Sequence, residues 1–421
     1  MKPDLIERCK EVLRANDHGS YTVPAPDLYP HQWNWDSSFI ALGWATFDEA
    51  RAWLELETLL SAQWRDGMVP HIVFHQESGD YFPGPSVWGV PESRSGEVAS
   101  SGITQPPVLA TALRQLLENT KDKALGKEKA GQLVPKILEF HRWLYRARDP
   151  DNTGLVAILH PWESGMDNSP LWDEALGRAP RASLPDERRD TGHVADEQRP
   201  KTEAYERYIG LVDLFREHGY EPEALYQHSP FKVADVAFNA ILHRANRDLL
   251  FLAQRFDLET SEIEDWLELG EAALGSLWSE EDAFFFSKDL VSGERIHVRT
   301  ASGLLPIYAG TATEAQTRAL LHVLETWNGE VRYLVPSTDP TSAAFEVQRY
   351  WRGPVWISIN WLLYQGLIER GFLVWAQKIK EDSLALTEQS GIFEYYDPKT
   401  GEGLGGHTFA WTAALLLAWR S

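Results

Sequence analysis

Sulfur is nearly absent from this chain, with one cysteine and three methionines in 421 residues. A lone Cys9 excludes an internal disulfide framework and any zinc site built on thiolates. It sits among Leu5, Ile6, Val12 and Leu13 at helical spacing, which marks it as a buried structural thiol. Positive charge is also scarce: 40 Lys and Arg stand against 62 Asp and Glu, a formal net charge of -22. A phosphate backbone is therefore a poor partner, because nucleic-acid binders carry a basic face. An anionic substrate would need a dedicated cation in its site. No apolar run is long enough to span a bilayer, and the start, MKPDLIERCK, lacks a basic-then-apolar signal pattern. A cytoplasmic location is expected. A Walker loop, a dinucleotide fingerprint, a nucleophile elbow and an HExxH motif are all missing. His71 and His75 have helical spacing, but Pro70 beside them weakens a helix there. No metal and no cofactor are expected.

What the chain does hold is tryptophan, 18 residues of it. Some of these fill a large helical core. Others fall in segments rich in Pro, Gly and charge, where a core is out of place. Aromatic faces beside carboxylates suit sugar rings, whose C–H faces stack while their hydroxyls need polar partners. Glu, Arg and Pro are frequent and sulfur is rare, a balance compatible with a thermophile.

Helical periodicity dominates, and it predicts helices near 4–15, 36–46, 48–64, 105–119, 130–148, 201–217, 231–255, 261–279, 312–327, 353–370, 373–389 and 408–420. Asp48 caps one start and Gly371 ends another. Short β pieces are expected at 283–299 and 392–397. Strand and helix do not alternate, so a parallel sheet is excluded. A dozen helices joined as hairpins can close into a double ring, an all-helical toroid with a pocket built by rim loops. No Gly/Ser linker divides the chain, so 1–421 reads as one domain. The polar stretch 178–200 is either a mobile lid or insertion, or a solvated connector.

Five loop segments concentrate Trp, Tyr, Asp, Glu and Arg. In 29–38, Trp33 and Trp35 flank polar residues, and Asp36 is either an N-cap or a carboxylate for sugar hydroxyls. In 160–170, Glu163 and Asp167 are spaced as if on one helical face, yet Pro161, Gly165 and Pro170 make a loop. A loop carboxyl backed by Trp162 can keep its proton at neutral pH, as a general acid requires. Arg199 stands before a proline at a helix start, ahead of Tyr205, where side chain and helix terminus could both face an anion. In 348–356, Tyr350, Trp351 and Trp356 surround two arginines and read as a pocket wall. In 391–401, Glu394 lies between aromatics, placed to act as a base on water. Asp167 and Glu394, from opposite halves of the chain, suit glycoside hydrolysis. Their separation decides between retention and inversion.

Five segments carry a resemblance that spans nearly the whole chain: WNWDSSF (33–39), HPWESGMDNSP (160–170), QRYWRGPVW (348–356), EYYDPKTG (394–401) and FAWTAA (409–414). With them the chain resembles the bacterial branch of glycoside hydrolase family 63, and within it the mannosylglycerate hydrolases. The resemblance implies an (α/α)6 barrel and an inverting reaction, with Asp167 as acid and Glu394 as base. It implies that Trp35 and Asp36 hold the cleaved sugar, in a subsite lined by Tyr81, Gln105, Trp162, Gly165, Trp351 and Trp356. It implies that Arg199 and Tyr205 bind a glycerate carboxylate on a closing loop, with help from Tyr29 and Tyr350. His407 takes the place of a glutamine in relatives. The expected substrate is a small anionic glycoside, mannosylglycerate and also glucosylglycerate. Three other readings compete. A trehalase-like or glucoamylase-like enzyme of neutral sugars would not need Arg199. A sugar epimerase would favour paired histidines in the barrel. A carbohydrate-binding protein would need the aromatics without a paired acid and base.

Overall fold

The computed structural model describes residues 2–76, 81–184 and 194–419. Six inner helices form a closed ring: Asn34–Ala45, Leu109–Asn119, Val236–Arg255, Pro306–Ala309, Ile357–Glu369 and Ala410–Ala418. Each packs on the next, and the last returns to the first. Six outer helices alternate with them along the chain: Pro3–Ala15, Glu49–Ser61, Lys123–Arg148, Ser261–Ser276, Glu314–Glu330 and Leu373–Ser390. The fold is an (α/α)6 barrel.

The two rings differ as their sequences require. Inner helices are enclosed on all sides. Every residue from Asn34 to Trp44 is buried, and the run AWTAALLL at 410–417 is buried throughout. An outer helix needs only one apolar stripe. On Pro3–Ala15 that stripe is Leu5, Ile6, Cys9, Val12 and Leu13, and Cys9 is the buried structural thiol expected. Asp48 caps its helix by accepting Arg51 N–H at 3.0 Å, and Gly371 follows the end of Ile357–Glu369.

Two helices differ from the periodicity. Residues 201–217 form a helix, Thr202–Glu217, but it lies on the rim against Pro85–Trp88 and Asp173–Gly177. Its place in the inner ring is taken by Pro306–Ala309, a single turn that offers no period to detect. The helix expected from 130 begins at Lys123, where Asp122 accepts Ala124 and Leu125 N–H. Its first turns are too polar to show a stripe. Of the β pieces, Phe284–Phe285, Lys288–Asp289 and Phe393–Tyr396 fall where expected. The last pairs with Gly403–His407 as an antiparallel hairpin.

The polar stretch 178–200 is described at both ends, and residues 185–193 of the expected lid lie outside the described residues. At its start Arg178 Nη2 donates to both carboxylate oxygens of Asp289, at 2.7 and 2.9 Å. Its end, one 3-10 turn Asp196–Gln198, is tied to the hairpin, where Gly405 N–H donates to Gln198 Oε1 at 3.0 Å. No helix among the described residues is long and apolar enough to cross a membrane.

Candidate active site

The loops that enter the inner helices meet at one end of the barrel around a cavity of about 370 Å³. Tyr29, Trp35, Asp36, Tyr81, Gln105, Trp162, Gly165, Asp167, Arg199, Tyr205, Tyr350, Trp351, Trp356 and Glu394 all line it. His407 does not. It is exposed and lines a separate groove with Arg8, Val12 and Ile392. On this strand it is Gly405 and Gly406 that lie against Glu394: Gly406 N–H donates to Oε2, and a Cβ on Gly405 would lie 2.4 Å from that oxygen. Trp33, singled out with Trp35 in the sequence, lines the cavity too, and sequence reasoning missed His71, Phe82, Phe409 and Trp411. Trp411 lies in one of the matched segments and was within reach. His71 was not, because it turns inward only through the pairing of Ile72–Val73 with Gln32–Trp33.

The apolar wall is a set of locked indoles. Trp351 and Trp356 stack at 3.8 Å with 3° between planes, and Trp411 meets Trp35 edge-on at 5.2 Å. Gly165 has φ +70°, and a Cβ there would lie 2.6 Å from the Trp35 ring. Only glycine permits that approach. Gln105 Oε1 accepts Trp35 N–H at 3.3 Å, satisfying one of the open donors at the helix start. Asp36 is not the N-cap. Trp33 is, and Asp36 sits in the first turn with its carboxyl buried at the cavity. Burial raises its pKa well above the usual carboxylate value, and the Glu394 and Asp167 charges add to this.

The loop carrying Asp167 is held from behind. His160 Nδ1 accepts Trp162 N–H at 3.0 Å, and its Nε2–H donates to the Tyr208 carbonyl at 3.0 Å. Burial lowers its pKa to about 3, so the neutral ring is a fixed strut. Glu163 is fully buried, accepts Arg148 Nη2 at 2.8 Å and Leu159 N–H at 2.7 Å, and does not line the cavity. The two acidic residues of this loop therefore divide: Glu163 clamps and Asp167 faces the cavity. Breaking such a buried pair typically costs about 3–5 kcal/mol. Asn168 ties the loop to the aromatic wall by accepting Trp351 N–H at 2.9 Å. Among the described residues no side chain donates to the Asp167 carboxyl. Burial raises its pKa to about 7, against the lowering pull of Arg199 and with a further push from Glu394. A carboxyl so placed holds a proton near neutrality and can deliver it.

Glu394 is provided with donors. Tyr29 Oη donates to Oε1 at 2.9 Å and Gly406 N–H to Oε2 at 2.9 Å. Burial raises its pKa, while Arg199, Gly406 and Tyr29 lower it. Tyr350 closes the group, its hydroxyl 3.1 Å from that of Tyr29. It has φ +40°, an uncommon conformation for a bulky residue, in a loop fastened to the hairpin by Val355 and Tyr396.

Arg199 is 6 % exposed. Its Nη1 donates to Tyr29 Oη at 2.9 Å, and its guanidinium lies 4.5 Å from the Tyr350 ring centre. Tyr205, on the rim helix that follows, donates its hydroxyl to the Phe82 carbonyl at 3.1 Å. Among the described residues one cation thus shares the cavity with four carboxyls, those of Asp27, Asp36, Asp167 and Glu394, and it stands where an anionic group on a ligand would be met by a planar fork. No group of three or more His, Cys, Asp or Glu able to hold a metal ion forms among the described residues.

Residues 29–412 match a family model described as the mannosylglycerate hydrolase MGH1-like glycoside hydrolase domain. The chain is 54% identical over 411 residues to a mannosylglycerate hydrolase of Thermus thermophilus, covering 97% of this chain and 99% of that protein. It is 35% identical over 433 residues to a glucosylglycerate hydrolase of Mycolicibacterium hassiacum, covering 99% and 97% of the two. A crystal structure of a family 63 mannosylglycerate hydrolase from Thermus thermophilus, in complex with Tris and D-glycerate, superposes with a TM-score of 0.96 at 54% identity, covering 99% of this chain and all of that one. The match takes in the barrel and the loops that build the cavity, and the chain belongs to the MGH1-like glycoside hydrolases of family 63.

Proposed function

We propose that this hydrolase cleaves mannosylglycerate to a hexose and glycerate, accepts glucosylglycerate, and does so with inversion. Trp35 and Asp36 would hold the sugar against the indole wall. Asp167 would give its proton to the glycosidic oxygen as the bond to the anomeric carbon breaks. Glu394 would take a proton from the water that attacks the opposite face. Arg199, with Tyr205, would meet the glycerate carboxylate. The same reading takes 1–421 as one catalytic domain, since a continuous apolar core runs through the barrel.

The observation that carries this reading is Arg199, a buried cation in a cavity lined mainly by aromatic rings, prolines and carboxyls. A protein of net charge -22 repels anions at long range. Local recognition must overcome that field. The Thermus and Mycolicibacterium relatives act on glycerate conjugates, which supports the same aglycone here. A neutral disaccharide offers no anionic group for Arg199 to meet. An epimerase is disfavoured because, among the described residues, His71 is the one histidine lining the cavity.

The test is incubation with mannosylglycerate, glucosylglycerate and trehalose, with the released sugar followed by NMR. Hydrolysis of the glycerate conjugates is expected, with the first-formed sugar of opposite anomeric configuration to the substrate. A retained anomer, or release from trehalose alone, would overturn the proposal.

A further inference from the structure

The hairpin carrying Glu394 is irregular at that residue. Phe393 lies opposite His407 and Tyr395 opposite Leu404, so Glu394 faces both Gly405 and Gly406. Such a bulge takes an N–H out of the strand ladder. Gly406 N–H turns to Glu394 Oε2, and the preceding N–H, of Gly405, leaves the hairpin to donate to Gln198 Oε1 at 3.0 Å. Tyr395 Oη donates to the Gln198 carbonyl at 3.0 Å. Gln198 is thereby fastened to the residue after the carboxylate and to the backbone opposite it.

The first of these two glycines cannot be stiffened by a side chain. A Cβ on Gly405 would lie 2.4 Å from Glu394 Oε2 and 2.4 Å from the Tyr395 ring, and φ is +68°. Two successive glycines keep a wide backbone freedom. Gln198, from outside the hairpin, restrains the backbone that aims the Gly406 N–H at the carboxylate. The next residue is Arg199. Its carbonyl accepts Arg349 Nη1 at 2.7 Å, and its guanidinium reaches the same Tyr29 hydroxyl that donates to Glu394.

We propose that Gln198 is a positioning residue that sets the general base and the anion-binding arginine together. The proposal rests on the reading of Glu394 as base. Tyr29, Arg199, Tyr350, Asp36 and Asp167 act on Glu394 from the elements packed around it, and Tyr395 from its own strand. The Gly406 N–H favours its ionised form. Loosening that donor moves the acidic limb of the kcat/KM profile to higher pH.

The experiment measures kcat, KM, pH profile and melting temperature on mannosylglycerate for Gln198→Ala, Gln198→Glu, Glu394→Gln and the exposed neighbour Glu197→Ala. Gln198→Ala should lower kcat by about 3- to 10-fold, the loss of one hydrogen bond's worth of alignment. Its acidic limb should move up, with melting unchanged. Gln198→Glu keeps an acceptor at the same reach and should restore kcat on the pH plateau. Glu197→Ala should match wild type. An effect of Gln198→Ala on KM alone, an unmoved limb, or a fall in melting that Gln198→Glu does not rescue would overturn the proposal. An active Glu394→Gln would overturn the base reading and this proposal together. An inactive Glu394→Gln beside a normal Gln198→Ala would overturn this proposal alone.

Discussion

Asp167→Asn should abolish hydrolysis and at the same time stabilise the protein above neutral pH. Burial raises the Asp167 pKa from 3.8 to about 7. For a carboxyl raised in the folded state, the cost is absent below its unfolded value, grows between about pH 4 and 7, and is complete above 7. At about 1.4 kcal/mol for each tenfold change, the full displacement corresponds to roughly 4 kcal/mol. The carboxyl is partly open to the cavity, and water there screens part of this, leaving about 1–3 kcal/mol. Asparagine has the same shape and no charge to desolvate. For 421 residues the unfolding entropy is about 0.9 kcal/mol/K, so the gain in melting temperature is about 1–3 °C.

The assay is thermal unfolding of wild type and Asp167→Asn at pH 5 and pH 8, with hydrolysis measured on the same samples. The variant should melt higher at pH 8, and the advantage should shrink at pH 5. Hydrolysis should fall by about 10²–10⁴-fold, the usual loss of a needed general acid. Equal melting at pH 8, or a lower melting point than wild type there, would refute the claim that burial strains the Asp167 charge. Activity within tenfold of wild type would refute its role as acid.

Three further outcomes are expected. Arg199→Ala should raise KM for a glycerate conjugate by about 10- to 100-fold, from a charged hydrogen bond of roughly 1.5–3 kcal/mol, and should change a glycoside of neutral glycerol far less; equal losses on both would make Arg199 structural. Gly165→Ala should cut kcat/KM by roughly 10- to 100-fold, because its Cβ would lie 2.6 Å from the Trp35 ring and must push that ring aside; steady-state kinetics near wild type would show that the ring moves without cost. Treatment with EDTA should leave activity intact, and a complete loss restored by adding metal would contradict the metal-free reading.

The ring helices were legible because burial writes a period into sequence. Outer helices show a stripe, as on Pro3–Ala15, and inner ones are apolar all round, as on Ala410–Ala418. Pro306–Ala309 was illegible because one turn has no period, and Thr202–Glu217 was placed in the ring because its stripe packs on rim elements instead. At the site, aromatic and charged residues mixed in Pro/Gly loops marked the cavity wall. Spacing could not separate Glu163 from Asp167. A 3-10 turn, Pro161–Ser164, followed by Gly165 in a left-handed conformation, sends one to Arg148 and the other to the cavity. His407 was misplaced for a related reason: the bulge at Glu394 alters which strand positions face inward.

The division of labour between the two carboxyls follows from their donors rather than from their burial. Both lie in the same cavity, both are raised by desolvation, and both are lowered by Arg199. Glu394 in addition receives the Tyr29 hydroxyl and the Gly406 N–H, which favour its charged form. No side chain among the described residues does this for Asp167. The donors favour charge on Glu394, and burial favours the proton on Asp167. A substrate carboxylate that engages Arg199 would draw that cation away from both groups. On the proposed reading the loss weighs more on Asp167, whose carboxyl receives a backbone N–H but no side-chain donor among the described residues, and so favours its protonated form while Tyr29 and Gly406 favour the charged form of Glu394. On that reading, recognition of the anion and preparation of the acid are one event at one guanidinium.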